Sequence, residues 1–533
     1  MKRRGGLPGL LPLLSLPALL TSASPAQAPP ARTTLVVFIT VDQLRGDYLD
    51  RFGAQLTGGL GRLKARGAVF PNGSLDYAIT ETAPGHATGM SGRFPRSTGI
   101  FSNTLGVLDP QAPVLGGGGL PASPFRFRGS TLIDWLRAQD PRSRALSVSR
   151  KDRGAILPLG RAKQAAYWYA SDGRFTTSTY YADTLPTWVR QFNARRLPHQ
   201  YAGKSWTLLL PASSYPEPDS VAVENRGQDI AFPHLVPADS GLAARLLGNY
   251  PWMDQVTLDF ALEGLQQLRL GQGPAVDLLA ISLSSTDAVG HAFGPDSREL
   301  HDQVLRLDRM LGAFFDRLFQ LRDSAGVIVA LTGDHGVTSY PEVYSASSRR
   351  PAGYVDLSGA ANTVKAMVLA RGADSSAWAW EDGVLRVDRA ALGRAGVSAD
   401  FAVREFLTAS LADPGVLRVD QVRTLAQQDT ARDYVARRWY HMIPPDLGVE
   451  AVVTLKEHYV WGNYGIAMHG SPHDDDANVP VVFYGPPFRP GTYRDDARVV
   501  DLAPTLAAVL GVAPTERVDG RVLRTALRSP GSN

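Results

Sequence analysis

The chain contains no cysteine in 533 residues. That excludes disulfides, a thiolate nucleophile and thiolate metal ligands, so any metal must be held by histidine, carboxylate or hydroxyl oxygen. Net charge is also scarce. The formal excess is +4, and Lys2, Arg3 and Arg4 supply three of those charges. The rest of the chain is close to neutral and carries no electrostatic footprint of a dedicated nucleic-acid partner. Beyond the N-terminus no run is long and apolar enough to span a bilayer, and no internal repeat is visible.

What is present is the composition of a globular protein, 44% hydrophobic and 20% charged. The length allows one large or two ordinary domains. The basic start precedes "GLPGLLPLLSLPALLTSASPAQA", an apolar run broken by prolines and ending in small residues at Ala26-Gln27-Ala28. This pattern predicts a signal peptide over 1–28, cleaved within 23–28, and hence a periplasmic or secreted protein. An N-terminal membrane anchor is the competing reading, but the run is short and interrupted.

Five β-branched runs read as buried parallel strands: "TLVVFITV" (34–41), "RALSVS" (144–149), "VDLLAISLS" (276–284), "GVIVALT" (326–332) and "VPVVFYG" (479–485). Between the third and fourth, Leu300, Val304, Leu307, Leu311, Phe314 and Leu318 recur at helical spacing. Strand, helix and strand on that scale predict an α/β fold with a mostly parallel central sheet flanked by helices. "VVDLAPTLAAVLG" (499–511) predicts a further helix stopped by Gly511. Residues 155–275 and 339–455 interrupt the rhythm and read as cap insertions on a single domain over 29–533, with an Ala-rich helical stretch at 389–412. The Gly/Pro-rich piece 105–125 reads as a loop.

Chemistry collects where these strands end. "FITVDQ" ends in Asp42, "ISLSSTDAVGHAFG" presents Asp287 and His291, and "VALTGDHG" presents Asp334 and His335. "MHGSPHDDD", with His469 and His473, precedes the last strand. Each cluster alone has an ordinary explanation: a helix cap, a solvated helical face, an acidic loop. Together they lie at one edge of an α/β sheet, where ligands bind. Three aspartates, three histidines and a hydroxyl suit two divalent ions of the zinc type with an open position. Such a pair works on phosphoryl groups and needs a nucleophile between the ions. "DYAITETAPGHATGM" (76–90) offers one. Pro84 suits the first turn of a helix and places Thr82 at its N-terminus, where an anion is favoured. Local chemistry does not separate Thr82 from Thr80, and His86 reads as support for the turn.

The motifs "VDQLRGDYL", "TAPGHAT", "GIFSN", "SRKDRGAI", "STDAVGH", "TGDHG", "HGSP" and "DLAPTLAAVLG", in that order, span the chain. They resemble the alkaline phosphatase superfamily, and within it the threonine-nucleophile, phosphate-irrepressible PafA-type bacterial alkaline phosphatases. The resemblance implies an alkaline phosphatase-like core and a metal-dependent phosphomonoesterase working through a covalent phosphothreonine at Thr82. It implies one zinc-type ion on Asp42, Thr82, Asp334 and His335, and another on Asp287, His291 and His469. The His-Gly pair selects His469 over His473. It further implies phosphate contacts from Asn103, Lys151 and Arg153, a set suited to a dianion because a cation and a planar fork add donors for three oxygens. Spacing alone would leave "RKDR" a solvated turn. Small-molecule phosphate monoesters are the expected partners, with the chain a monomer or weak oligomer. A phosphodiesterase or nucleotide pyrophosphatase of the same superfamily is the alternative. A sulfatase needs Cys or Ser in C/S-x-P-x-R, whereas this chain has Thr82 and His86 at those positions. A binding protein without turnover is a third reading, disfavoured by the complete ligand and nucleophile set.

Overall fold

The structure is a computed structural model that describes residues 1–2, 5–6, 32–381, 383–462 and 464–528. Most of the expected signal segment 1–28 lies outside the described residues. Contacts divide the chain into Met1–Arg32 and Thr33–Asn533, and among the described residues every helix and strand lies in the second unit.

A nine-stranded sheet runs through that unit, in the order Gly491–Thr492, Ala68–Phe70, Val481–Tyr484, Val327–Gly333, Leu35–Val41, Asp277–Leu283, Ala145–Ser149, Ala165–Tyr169, Phe175–Thr176. The five strands from Val327–Gly333 to Ala165–Tyr169 are parallel. Their apolar runs are continuous because both sheet faces are covered. In Leu35–Val41, alternate residues Leu35, Val37, Ile39 and Val41 enter one core cluster, while Val36 and Phe38 enter the other. The helix Arg298–Leu321 begins where the Ser297 hydroxyl accepts the Leu300 N–H, and it buries the Leu300-to-Leu318 stripe against the first cluster. The C-terminal helix forms as Leu502–Leu510, closed by Gly511 at φ +68°.

Val481–Tyr484 departs from expectation: it runs antiparallel to both its neighbours. The cause is the loop that precedes it. That loop carries His469 to the carboxyl edge of the parallel strands, so the strand starts at that edge and must run the other way. The short strands Ala68–Phe70, Ala165–Tyr169 and Phe175–Thr176 were not anticipated; the last two show that part of 155–275 extends the central sheet. Within 339–455 lies a separate antiparallel sheet, ordered Trp378–Glu381, Val384–Val387, Val449–Leu455, Val416–Gln421. The helices Ser358–Leu369 and Ala399–Leu411 pack on it around a core of its own. The Ala-rich stretch is two helices, because Gly396 takes φ +69° and Ser398 caps a new start. No described helix is long and apolar enough to cross a membrane.

One buried acid lies behind the helix Ser285–Phe293. Glu224 is pushed up to about 8, by burial first and then by Glu299. A carboxyl raised above its unfolded value leaves the fold unpenalised below about 4.5 and penalises it increasingly as pH rises through 8. Glu224→Gln is therefore expected to raise Tm at pH 9 by roughly 2–4 °C, with the gain vanishing near pH 5, as read by calorimetry at both values.

Candidate active site

The register of the three central strands brings the site together. Val41 pairs with Leu283 on one side and Gly333 on the other, so Asp42, Ser284 and Asp334 leave the sheet at one level. The Asp42 N–H donates to Leu283 O at 2.9 Å and pins two strand ends to each other. Gln43 follows in the left-handed region at φ +65°. Its N–H donates to Asp334 Oδ1 at 3.0 Å, and its side-chain Nε2 donates to Asp287 Oδ1 at 3.1 Å. Gln43 thus orients carboxylates from two different strand ends. Sequence reasoning passed over it, although it stands next to Asp42 in "FITVDQ".

Thr82 is the first residue of the helix Thr82–Ser91, with Pro84 in the first turn. Gly85 lets this helix press on the Asp334 backbone, because a Cβ there would overlap the Asp334 carbonyl. The Thr82 Oγ1 lies 3.5 Å from His335 Nε2 and 3.3 Å from Lys151 Nζ. The other two hydroxyls are used elsewhere: Thr80 Oγ1 donates to Ser471 O at 3.0 Å and Thr88 Oγ1 to Pro84 O at 2.8 Å. His86 does more than support its turn. Its Nδ1 lies 2.9 Å from Thr82 O and 3.1 Å from Asp334 Oδ2, and its Nε2 lies 2.8 Å from Ser282 Oγ.

The three histidines share one construction. His335 Nδ1–H donates to Gly336 O at 2.9 Å, His291 Nδ1–H to Ala467 O at 2.6 Å, and His469 Nδ1–H to Thr80 O at 2.8 Å. A carbonyl only accepts, so each ring carries its proton on Nδ1 and turns Nε2 inward, the arrangement metal-binding histidines require. His335 Nε2 lies 3.4 Å from Asp42 Oδ1, and His291 and His469 Nε2 lie 3.2 and 3.8 Å from Asp287 Oδ1. Two groups of ligand atoms fall within 4.8 Å of one another: Asp42, Asp334 and His335, and Asp287, His335 and His469. His335 joins both groups. His291 stands outside the second group while remaining against Asp287. His473 points away, its Nε2 on Leu455 O at 2.8 Å.

Buried negative charge dominates this space. Both oxygens of Asp42 are buried and accept no hydrogen bond. Their charge is answered by Lys151 Nζ, 2.5 Å from Asp42 Oδ2 and 2.7 Å from Asp287 Oδ2. Burial and Asp287 push Asp42 up, but Lys151 and His335 together bring it down to about 2. Burial likewise opposes the ionised form of Asp287, and Lys151 and then His291 hold it well below the usual carboxylate range. His335 is raised to about 9: burial lowers it, and Asp334, Asp42 and Asp287 more than reverse that. His469 is held well below its ordinary value by burial and by the neighbouring His335 and His291. Asp42, Asp287 and Asp334 are buried, and Lys151 lies against the first two, so the cluster draws in positive charge. The buried oxygens of Asp42, Oδ2 of Asp334 and the inward Nε2 atoms fit a site for divalent cations with N/O preference.

Around this cluster stand the expected phosphate-binding residues. Asn103 Oδ1 accepts the Ala83 N–H at 2.9 Å, which leaves its donating NH2 end for an oxygen of a ligand. The Asn103 N–H donates to Glu81 Oε2 at 2.7 Å. Lys151 caps the short helix Asp152–Ile156, which carries Arg153. Arg153 Nε is buried without a hydrogen-bond partner, and its Nη1 lies 3.6 Å from Asp152 Oδ1. A buried unused donor on a half-buried guanidinium is suited to an anion.

Comparison with known proteins agrees with this architecture. Residues 36–373 match the family of type I phosphodiesterase / nucleotide pyrophosphatase. The chain belongs to that family, and with it to the alkaline phosphatase superfamily in its PafA-type branch. It is 32% identical to alkaline phosphatase PhoV of Synechococcus elongatus, over 93% of this chain and 94% of that one. It is 30% identical to alkaline phosphatase PhoK of Sphingomonas sp, over 92% and 90%. The crystal structure of alkaline phosphatase PafA superposes with a TM-score of 0.85 at 27% identity, covering 93% of this chain and 99% of that chain.

Proposed function

We propose that the protein is an exported alkaline phosphatase that hydrolyses phosphate monoesters in two displacements through a phosphothreonine at Thr82. The observation that carries this reading is Lys151 Nζ, which reaches Asp42, Asp287 and the Thr82 hydroxyl at once. The Thr82 oxygen forms a bond to phosphorus as the bond to the alcohol oxygen breaks. Water then releases phosphate and restores the hydroxyl. Asp42, Thr82, Asp334 and His335 would hold one zinc-type ion, and Asp287, His291 and His469 another; when bound, these ions acidify the nucleophilic hydroxyl and offset charge on the departing oxygen. Lys151, Arg153 and Asn103 bind the non-bridging oxygens, and the two cations suit a dianion better than a diester with one charge fewer. Gln43 and His86 keep Asp287 and Asp334 in place. The basic, apolar and small-residue pattern of 1–28 supports export.

The family match to phosphodiesterases favours one second reading, a diesterase using the same Thr82 and carboxylates. Hydrolysis of an aryl phosphate monoester and the matching diester separates the two. The monoester is expected to be preferred, chelation to abolish turnover, and zinc to restore it. A several-fold preference for the diester would overturn the monoesterase reading, and turnover that survives thorough chelation would overturn the metal requirement.

A further inference from the structure

A cavity of about 220 Å³ opens beside the cluster. Its lining includes His291, His469, Asn103 and Glu81 together with residues of the cap region. Its lining mixes apolar residues, Ile79, Val453, Leu455, Val460, Trp461 and Met468, with Thr454, Tyr459 and Ser471. Val453 and Leu455 come from the Val449–Leu455 strand of the cap sheet.

We propose that this cavity is the subsite for the alcohol portion of the substrate, and that it selects uncharged apolar or aromatic groups. The proposal rests on the phosphatase reading above. Displacement at phosphorus is in line, with attacking and departing oxygens on opposite sides. Thr82 attacks from beside His335, so the alcohol departs toward Asp287, His291 and His469. Two of those residues form the near wall of the cavity.

Three features define its chemistry. Two of its polar side chains, Trp439 and Asp476, are already engaged with protein partners. Trp439 Nε1 donates to Thr454 Oγ1 at 2.8 Å, and Asp476 accepts the Ser471 N–H at 2.9 Å and the Thr338 hydroxyl at 2.8 Å. A sugar or other polyol finds few partners there and would lose its water. Among the residues lining the cavity none is lysine or arginine, while Glu81 and Asp476 are acidic, so a second anionic group on the alcohol meets no counter-charge. The volume accommodates a single aromatic ring or a short alkyl chain, since a cavity of about 150 Å³ holds benzene.

The test uses primary n-alkyl phosphates from methyl to hexyl, whose leaving alcohols have similar acidity. With the zinc-loaded enzyme, kcat/KM is expected to rise about three- to fourfold per carbon over the first carbons, then level off as the cavity fills. A terminal carboxylate on the hexyl chain should remove the gain. Ile466→Trp, at a half-buried lining position, should narrow the cavity and flatten the dependence on chain length. Binding is read independently by calorimetry with alkylphosphonates: the longer chain should bind more tightly and with a more negative heat-capacity change. Turnover of methyl phosphate with no dependence on chain length, in rate and in binding alike, overturns the subsite and leaves the phosphatase reading standing. Failure to turn over any member of the series overturns both. An unaltered slope in Ile466→Trp overturns the placement of the alcohol in this cavity.

Discussion

Thr82→Ala is expected to lower kcat/KM for phosphate monoesters by roughly four orders of magnitude or more, the scale seen when a covalent nucleophile is removed. The hydroxyl sits at a helix N-terminus, 3.3 Å from a lysine and 3.5 Å from an inward-facing histidine nitrogen. No neighbouring threonine can replace it. Thr80 spends its hydroxyl on Ser471 O and Thr88 spends its own within the helix. Thr80→Ala should therefore retain most of the activity, although it removes a bond that ties two loops of the site together. The discriminating measurement is acid-quenched protein mass: native enzyme should gain one phosphoryl group in the presence of substrate, and the Thr82→Ala variant none. Phosphorylation that persists without Thr82 would place the nucleophile elsewhere.

The second large effect is at Lys151. Lys151→Ala removes the cation shared by Asp42 and Asp287, and with it the charge beside the transferring oxygens. Loss of one such preorganised donor costs about 10²–10³ in kcat. The loss should be steep for a monoester and several-fold smaller for the matching diester, which carries less charge to neutralise. Equal losses would mean that Lys151 organises the two aspartates without reading the dianion. Steady-state rates for both substrates, under saturating zinc, give the answer.

Much of the fold could be read before any coordinates. The runs ending at Val41, Leu283 and Gly333 are long, apolar and β-branched, and burial on both faces is what such runs require. The helix Arg298–Leu321 announced itself by its stripe. Ala68–Phe70 and Phe175–Thr176 did not, because two or three residues carry no period. The direction of Val481–Tyr484 was readable in principle. A ligand that precedes a strand, where the others follow theirs, implies a strand running the opposite way. At the site, acids and imidazoles stood out because their residue types are costly to bury without a purpose. Gln43 did not, since a glutamine beside an aspartate is unremarkable until its amide proves to span Asp287 and Asp334. The contact of His86 with Asp334 is not legible either, because it depends on a helix packing that no local pattern encodes.

The hydrogen bond from His469 to Thr80 O joins residues 389 positions apart in sequence. It closes the cluster with a segment far beyond residue 373, where the family match ends. A growing chain therefore holds its nucleophile and most of its carboxylates long before it holds His469. Until nearly the whole polypeptide has emerged, the second group of ligands is incomplete. The order of synthesis is thus also the order in which the cluster fills, with the imidazole tied to Thr80 O arriving last of the three.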